Sequence, residues 1–224
     1  MKQSADTKQR LLDAAEEVFA REGYRAASLR TITAAAEVNL AAVNYHFGSK
    51  RELVEAVFAR RLQAMNQARV RGLAAVRREA RAAGRPPESR RLVEAFVTAT
   101  LDYTRSDPGE RLFMALVLRS SSDTDHTVQR AFEKFMKPTF EALRAAIAEA
   151  LPELPAAELW WRLQFTIGAM LRMHHLALAT VTGRPPVPAG PAAVELLTDF
   201  VNAGLSAPPA FAVHPHAPAQ GETS

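Results

Sequence analysis

Apolar residues recur at helical spacing along nearly the whole of this 224-residue chain, and no stretch keeps the strict alternation of a half-buried strand. Proline and glycine stand mainly between the periodic segments. An all-α protein of about nine helices is therefore predicted. A first helix from about Asp6 to Glu22 carries Leu11, Leu12, Ala15, Val18 and Phe19 on one face, with Gly23 as its C-cap. Ser28 is placed to N-cap a short helix whose inward residues are Leu29, Ile32 and Ala35. Glu37, Val38 and Asn39 connect it to a second short helix, in which Leu40, Val43 and Phe47 turn inward and Gly48 ends the run. Ser49 and Glu52 stand at capping-box spacing and open a long helix bearing Leu53, Val57, Phe58, Leu62 and Met65.

Gly84, Pro86 and Pro87 interrupt the pattern before a helix from Ser89 to about Arg105. Asp107, Pro108 and Gly109 make a turn, Leu112 to Leu118 an apolar segment, and Ser120 to Asp123 a polar loop. The next long helix holds Phe132, Phe135, Met136, Leu143 and Ile147, and Pro138 should kink or split it. After Pro152 and Pro155 comes a helix with Trp160, Leu163, Ile167, Met170, Leu171 and Leu178, and then a last one from about Pro191 to Gly204. The proline-rich, polar residues 207–224 read as a disordered tail. The expected organisation is a head of residues 1–50, a larger helical domain of residues 51–206, and that tail.

There is no cysteine, which removes disulfides, thiolate metal sites and cysteine nucleophiles. The chain also lacks a glycine-rich phosphate loop and paired acidic or histidine motifs at catalytic spacing, so an enzyme is not expected. His174 and His175 are neighbours on a predicted helix, about 100° apart, and ill placed to share an ion. Neither a metal nor an organic cofactor is expected. Residues 1–10 do not look like a signal peptide, and no apolar run approaches the ~18 residues of a membrane span. A cytoplasmic protein without a membrane partner is the expectation. The net charge of +4 permits nucleic-acid binding without demanding it. Its distribution says more: Arg60, Arg61, Arg69, Arg71, Arg77, Arg78, Arg81, Arg85, Arg90 and Arg91 stand against only Glu79 and Glu88. Such a run is either a solvated helix face or a field that draws in DNA or an anionic ligand.

Two short amphipathic helices joined by a tight turn have the helix-turn-helix layout. With Leu40, Val43 and Phe47 inward, the second helix presents Ala41, Ala42, Asn44, Tyr45 and His46. Small alanines allow close approach to a major groove and match thymine methyls, while Asn44 can read an adenine edge. Tyr45 and His46 suit phosphate contacts, as does Lys50 at the next helix start, where backbone amides also favour phosphate. Ser28, Arg30 and Thr31 are placed to clamp the other strand, and Asn39 in the turn completes the set. Each has a plainer alternative: Tyr45 packed on the first helix, His46 inert, Arg30 paired with a carboxylate. The specificity lies in the constellation.

From Leu11 to Leu53 the chain resembles the DNA-binding region of the TetR family of bacterial regulators. The resemblance runs through Phe19, Gly23, Tyr24, Ser28, Leu29, Ile32, Ala36, Val38, Val43, Tyr45, Phe47, Ser49, Lys50 and Leu53. Val38 to Lys50 is similar to the PsrA-like, fatty-acid-responsive subgroup. The resemblance implies a homodimer whose last two helices form a four-helix bundle with the partner. It also implies a repressor released from double-stranded operator DNA when a small molecule enters the C-terminal domain. Where the family's turn usually carries glycine this chain has Glu37, so backbone strain of about 1 kcal/mol or a differently shaped turn is expected.

For a hydrophobic or amphipathic effector, candidate cavity walls are Phe113, Met114, Val117, Trp161, Phe165 and Met170, with Phe96, Leu101, Phe135, Met136 and Phe140 as further choices. Ordinary core is the alternative for each. Arg172, Arg119 or Arg162 could meet a carboxylate or phosphate head group, and the subgroup resemblance implies a fatty acid or acyl thioester. Leu171, Leu178, Val194, Leu197 and Val201 on the last two helices belong either to the monomer core or to a dimer seam. The competing functional reading is a DNA-binding adaptor switched by a protein partner.

Overall fold

The computed structural model describes residues 2–106, 109, 112–113, 116–117, 126–176 and 190–210, without the side chains of 2–3, 103–106 and 171–176. Among these residues there are eight helices and no strand: α1 (Lys2–Glu22), α2 (Leu29–Ala35), α3 (Leu40–Phe47), α4 (Lys50–Ala82), α5 (Ser89–Ser106), α6 (Thr127–Ala150), α7 (Ala156–Leu176) and α8 (Pro191–Ser206). The all-α expectation holds. Of the apolar segment at residues 112–118 only 112–113 and 116–117 are described, and Met114, Arg119, the 120–123 loop, Leu178 and residues 211–224 lie outside the described residues.

The starts of the short helices are fixed by side-chain caps. Ser28 Oγ accepts from the Thr31 amide at 3.0 Å, and Asn39 Oδ1 accepts from the Ala42 amide at 3.0 Å. Ser49 Oγ accepts from the Glu52 amide at 3.1 Å while its hydroxyl meets the Glu52 carboxylate at 3.0 Å, the side-chain exchange its spacing suggested. Two details differ from expectation. Ala35 is exposed, and Thr33 and Ala36 are buried in its place. Pro138 does not split its helix: α6 is a single element of 24 residues. One lost backbone bond is tolerated because Val128, Ala131, Leu143 and Ile147, on either side of the proline, are all buried.

Packing gathers the chain into two compact units, residues 1–75 with 95–143 and residues 76–94 with 144–224. In the first, the apolar faces of α1, α2 and α3 share one core with Leu53, Val57, Phe58 and Leu62 of α4, and with Phe113, Leu116, Val117 and Val128. Helices of seven and eight residues bury too little to close a core alone, so α4 completes it. In the second unit α7 packs on α8. Leu159, Leu163 and Met170 of α7 are buried, as are Ala193, Leu197, Val201 and Leu205 of α8. Residues 207–210, expected to begin the disordered tail, are held in place. Arg162 donates to the carbonyls of Leu205, Ala207 and Pro208 at 2.7, 2.7 and 2.9 Å, and the Ala210 amide donates to Glu158 at 2.9 Å.

Candidate nucleic-acid interface and ligand cavity

Because Asn39 caps α3, Leu40 is its first helical residue, and the 100° step places residues 40, 41, 44 and 45 together on one face. The opposite face anchors the helix: Val43 and Phe47 are buried, and Ala42 is half-buried against the same core. Leu40, expected inward, is 43% exposed and stands on the outer face. Sequence reasoning missed its exposure, although the asparagine cap before it was the signal. Tyr45 is 80% exposed, which removes its packing on α1 as an explanation. Its ring meets the half-buried His46 edge-on with centroids 4.9 Å apart.

Around this helix the other candidates are brought together unevenly. Lys50 lies with its ammonium 4.5 Å over the Tyr24 ring and within 3.4 Å of the Arg25 carbonyl. Ser28 and Thr31 hydroxyls share a 2.8 Å hydrogen bond at the start of α2, and the exposed Arg30 has no ion pair among the described residues. Asn39 uses its side-chain oxygen for the cap and leaves its amide nitrogen toward solvent on an exposed residue. In the turn Glu37 adopts φ +53°, the left-handed region. Of the two alternatives posed by the missing glycine, the strained backbone is the one realised.

Candidate effector residues scatter. Phe113 and Val117 are buried in the first unit, where Phe113 meets Phe58 edge-on at 5.1 Å as solid core. Met170 is buried in the second unit. Trp161 and Phe165, expected as cavity walls, instead stand 52% and 68% exposed on α7, stacked on each other. Arg162 is not free for a head group, since it closes the end of α8 and bonds Glu158 at 2.5 Å. Met114 and the Arg172 side chain lie outside the described residues. The structure does contain an open, solvent-facing cavity of about 550 Å³ along α4 and α6 in the first unit. Gln63, Asn66, Gln67, Val70 and Arg71 form one side, and Phe135, Pro138 and Thr139 the other. Of the sequence-derived choices, Phe135 lines it.

The arginine run is mostly neutralised. Arg60 and Arg61 clamp the buried carboxylate of Glu16 on α1, and Arg60 also meets Asp13 at 2.5 Å. Arg77 pairs with Glu149, Arg90 with Asp199 and Arg91 with Glu79. Arg77 holds the Glu149 carboxyl below its usual range by hydrogen bonding.

Residues 11–57 match the family described as bacterial regulatory proteins, tetR family, and residues 94–204 match the tetracyclin repressor-like C-terminal domain. This chain belongs to the TetR family. That places it among transcriptional regulators and not among enzymes. Over 60 residues it is 47% identical to the nicotine-responsive transcriptional repressor HdnoR of Paenarthrobacter nicotinovorans, which is 27% of this chain and 31% of that one. It is 29% identical over 157 residues to the transcriptional regulator SrpR of Pseudomonas putida, covering 68% of this chain and 66% of SrpR. In three dimensions it resembles FadR of Bacillus subtilis, solved in complex with stearoyl-CoA, with a TM-score of 0.62 at 12% identity over 88% of this chain and 97% of that one. No helix of the described residues is long and apolar enough to cross a membrane.

Proposed function

We propose that this TetR-family protein is a one-component repressor. Residues 1–50 carry the DNA contacts, and residues 51–206 bind a small hydrophobic or amphipathic effector and dimerise. The observation that carries this reading is the outer face of α3, where Leu40, Ala41, Asn44 and Tyr45 are exposed and no acidic residue intervenes. Such a face enters a major groove: the alanine and leucine side chains meet thymine methyls, Asn44 meets an adenine edge, and Tyr45 with Lys50 meets phosphates. His46, Ala42, Asn39, Ser28, Arg30 and Thr31 frame it. Two copies joined through α7 and α8 set their recognition helices roughly 34–36 Å apart, one turn of DNA. Effector binding lowers operator affinity by favouring a different spacing, and DNA and effector then exclude each other thermodynamically. The α4–α6 cavity, with Val70, Phe135 and Pro138 as its apolar wall, is the proposed effector site, and that wall supports an acyl ligand. Acting on operator DNA places the protein in the cytoplasm.

The test is an anisotropy titration on DNA from the gene's own upstream region, with and without long-chain acyl compounds. Salt-sensitive binding relieved by an acyl compound supports the reading; binding indifferent to every small molecule points to a protein partner as the switch. Lys50→Ala should weaken binding to all sequences and lower the salt slope by about one. Tyr45→Ala should weaken binding to all sequences, on the order of tenfold, through loss of a phosphate contact. Asn44→Ala should relax preference at one base pair by about 1–3 kcal/mol. Unaltered base preference in a selection assay removes Asn44 as a reader.

A further inference from the structure

Arg69 differs from the other arginines of the run. It sits in the middle of α4, only 4% exposed, and among the described residues no carboxylate reaches it. Its Nε and Nη2 donate to Thr100 Oγ1 at 3.0 and 2.8 Å. Nη1 has weaker company, the Asn66 side-chain oxygen at 3.2 Å and the Met136 sulfur at 3.6 Å. The guanidinium lies 4.5 Å over the Phe96 ring. Burial pushes its pKa down to about 10, so at neutral pH it still carries its charge. A full charge held by a hydroxyl, an amide, a thioether and a ring face is a poor stabiliser of the fold, because an apolar side chain of similar volume fits such a place at least as well. That leaves the charge open to a use other than folding.

The neighbouring cavity supplies that use. Asn66 belongs to both: it lines the cavity, donates to the Phe135 carbonyl at 2.8 Å, and accepts from Arg69. The cavity is open to solvent: Val70 and Pro138 are exposed and Phe135 half-buried, which gives it an apolar wall, Arg71 adds a second cation, and no acidic residue lines it. That combination fits a ligand with an anionic end and an apolar tail.

We propose that Arg69 anchors the acid group of the effector, a carboxylate- or phosphate-bearing amphipath whose tail fills the cavity. The anion replaces Asn66 and Met136 at Nη1 and converts two weak contacts into charge-assisted hydrogen bonds. This rests on the reading of the chain as a ligand-switched regulator and names the chemistry of the switch. The occupant must be an acid, and an uncharged lipid of equal length must bind worse.

The experiment is calorimetric titration and thermal melting of the full chain with dodecanoate, dodecyl phosphate and dodecanol below their micelle concentrations. The wild-type protein should prefer one of the two anions over the alcohol by about tenfold or more, and which one it prefers tells carboxylate from phosphate. Arg69→Met should melt no lower than wild type without ligand, keep its dodecanol binding, and lose the preference for the anion. Arg71→Gln should keep that preference. Asn66→Asp, which supplies an internal counter-ion at the same position, should raise the melting temperature and weaken anion binding about tenfold, and it stands in if Arg69→Met does not fold. Equal binding of acid and alcohol by the wild type, no binding of either anion, or an anion preference that survives both variants overturns the proposal. Operator release by dodecanoate in Arg69→Met as in wild type keeps the repressor and removes the anchor. Arg69-dependent binding without operator release keeps the anchor and removes the repressor.

Discussion

Glu37 holds φ at +53° between the two short helices, and among the described residues it is the only non-glycine with positive φ. A side chain with a Cβ is strained there by about 1 kcal/mol or slightly more, whereas glycine adopts the region freely. Glu37→Gly should therefore stabilise the chain by up to about 1 kcal/mol, part of the relief being offset by the greater freedom of glycine in the unfolded chain. Urea denaturation reads this as a higher midpoint at unchanged slope. A lower midpoint would mean that the Glu37 side chain supplies more than its backbone costs. The strain was legible in the sequence as one of two alternatives, because a glutamate stands where the family the chain resembles usually carries glycine. Leu40 was not legible, because a leucine at helical spacing from Val43 and Phe47 reads as core until the cap at Asn39 fixes the first helical residue.

Between elements, a largely buried ion-pair cluster of the first unit joins α1 to α4. Glu16 is 2% exposed and faces both Arg60 and Arg61, while Asp13 meets Arg60 from the rim. Removing the shared carboxylate leaves two partly buried guanidiniums with less compensation. Glu16→Ala should destabilise by about 2–3 kcal/mol, below the range for fully buried pairs because both arginines keep some solvent. Asp13→Ala, at the exposed end, should cost less than about 1 kcal/mol. Comparable losses from the two, measured by the same denaturation, would refute the view that burial sets the difference. Helix existence was readable because apolar spacing is local, and the capping pairs lie three residues apart. Pairings were not: Glu16 and its arginines are 44 and 45 residues apart. The arginine run therefore read as a solvated face first and an anionic attractor second, and the structure divides it between ion pairs, the exposed Arg71, Arg78 and Arg81, and the buried cation at Arg69.

At the scale of the molecule, the sequence could not say whether an apolar aromatic residue faces its own core or another copy. Trp161 and Phe165 were expected in a cavity and Leu197 and Val201 were left open between core and seam, yet Leu197 and Val201 are buried while both aromatics face solvent. Trp161, Phe165 and Gly168 recur at i, i+4 and i+7 on α7, and Leu196 with Phe200, 53% and 68% exposed, at i and i+4 on α8. Two packed helices that each turn such a stripe outward present an apolar patch whose burial is favourable by roughly 25 cal/mol per Å². In the proposed homodimer a second copy of the same helix pair would cover it with matching residues, as a two-fold interface requires. The melting temperature of the wild-type protein should then rise with protein concentration, because association stabilises only the folded chain. Phe165→Glu with Phe200→Glu should give a monomer by sedimentation, since each copy would place like charges and desolvated carboxylates against the other. Operator affinity should fall by about 10²-fold or more in that variant while a single half-site is bound as before, because the linkage between half-sites is lost and the groove contacts are untouched. A wild-type protein that sediments as a monomer at micromolar concentration, with a melting temperature indifferent to concentration, would place the seam elsewhere and leave the aromatic face of α7 to a different partner.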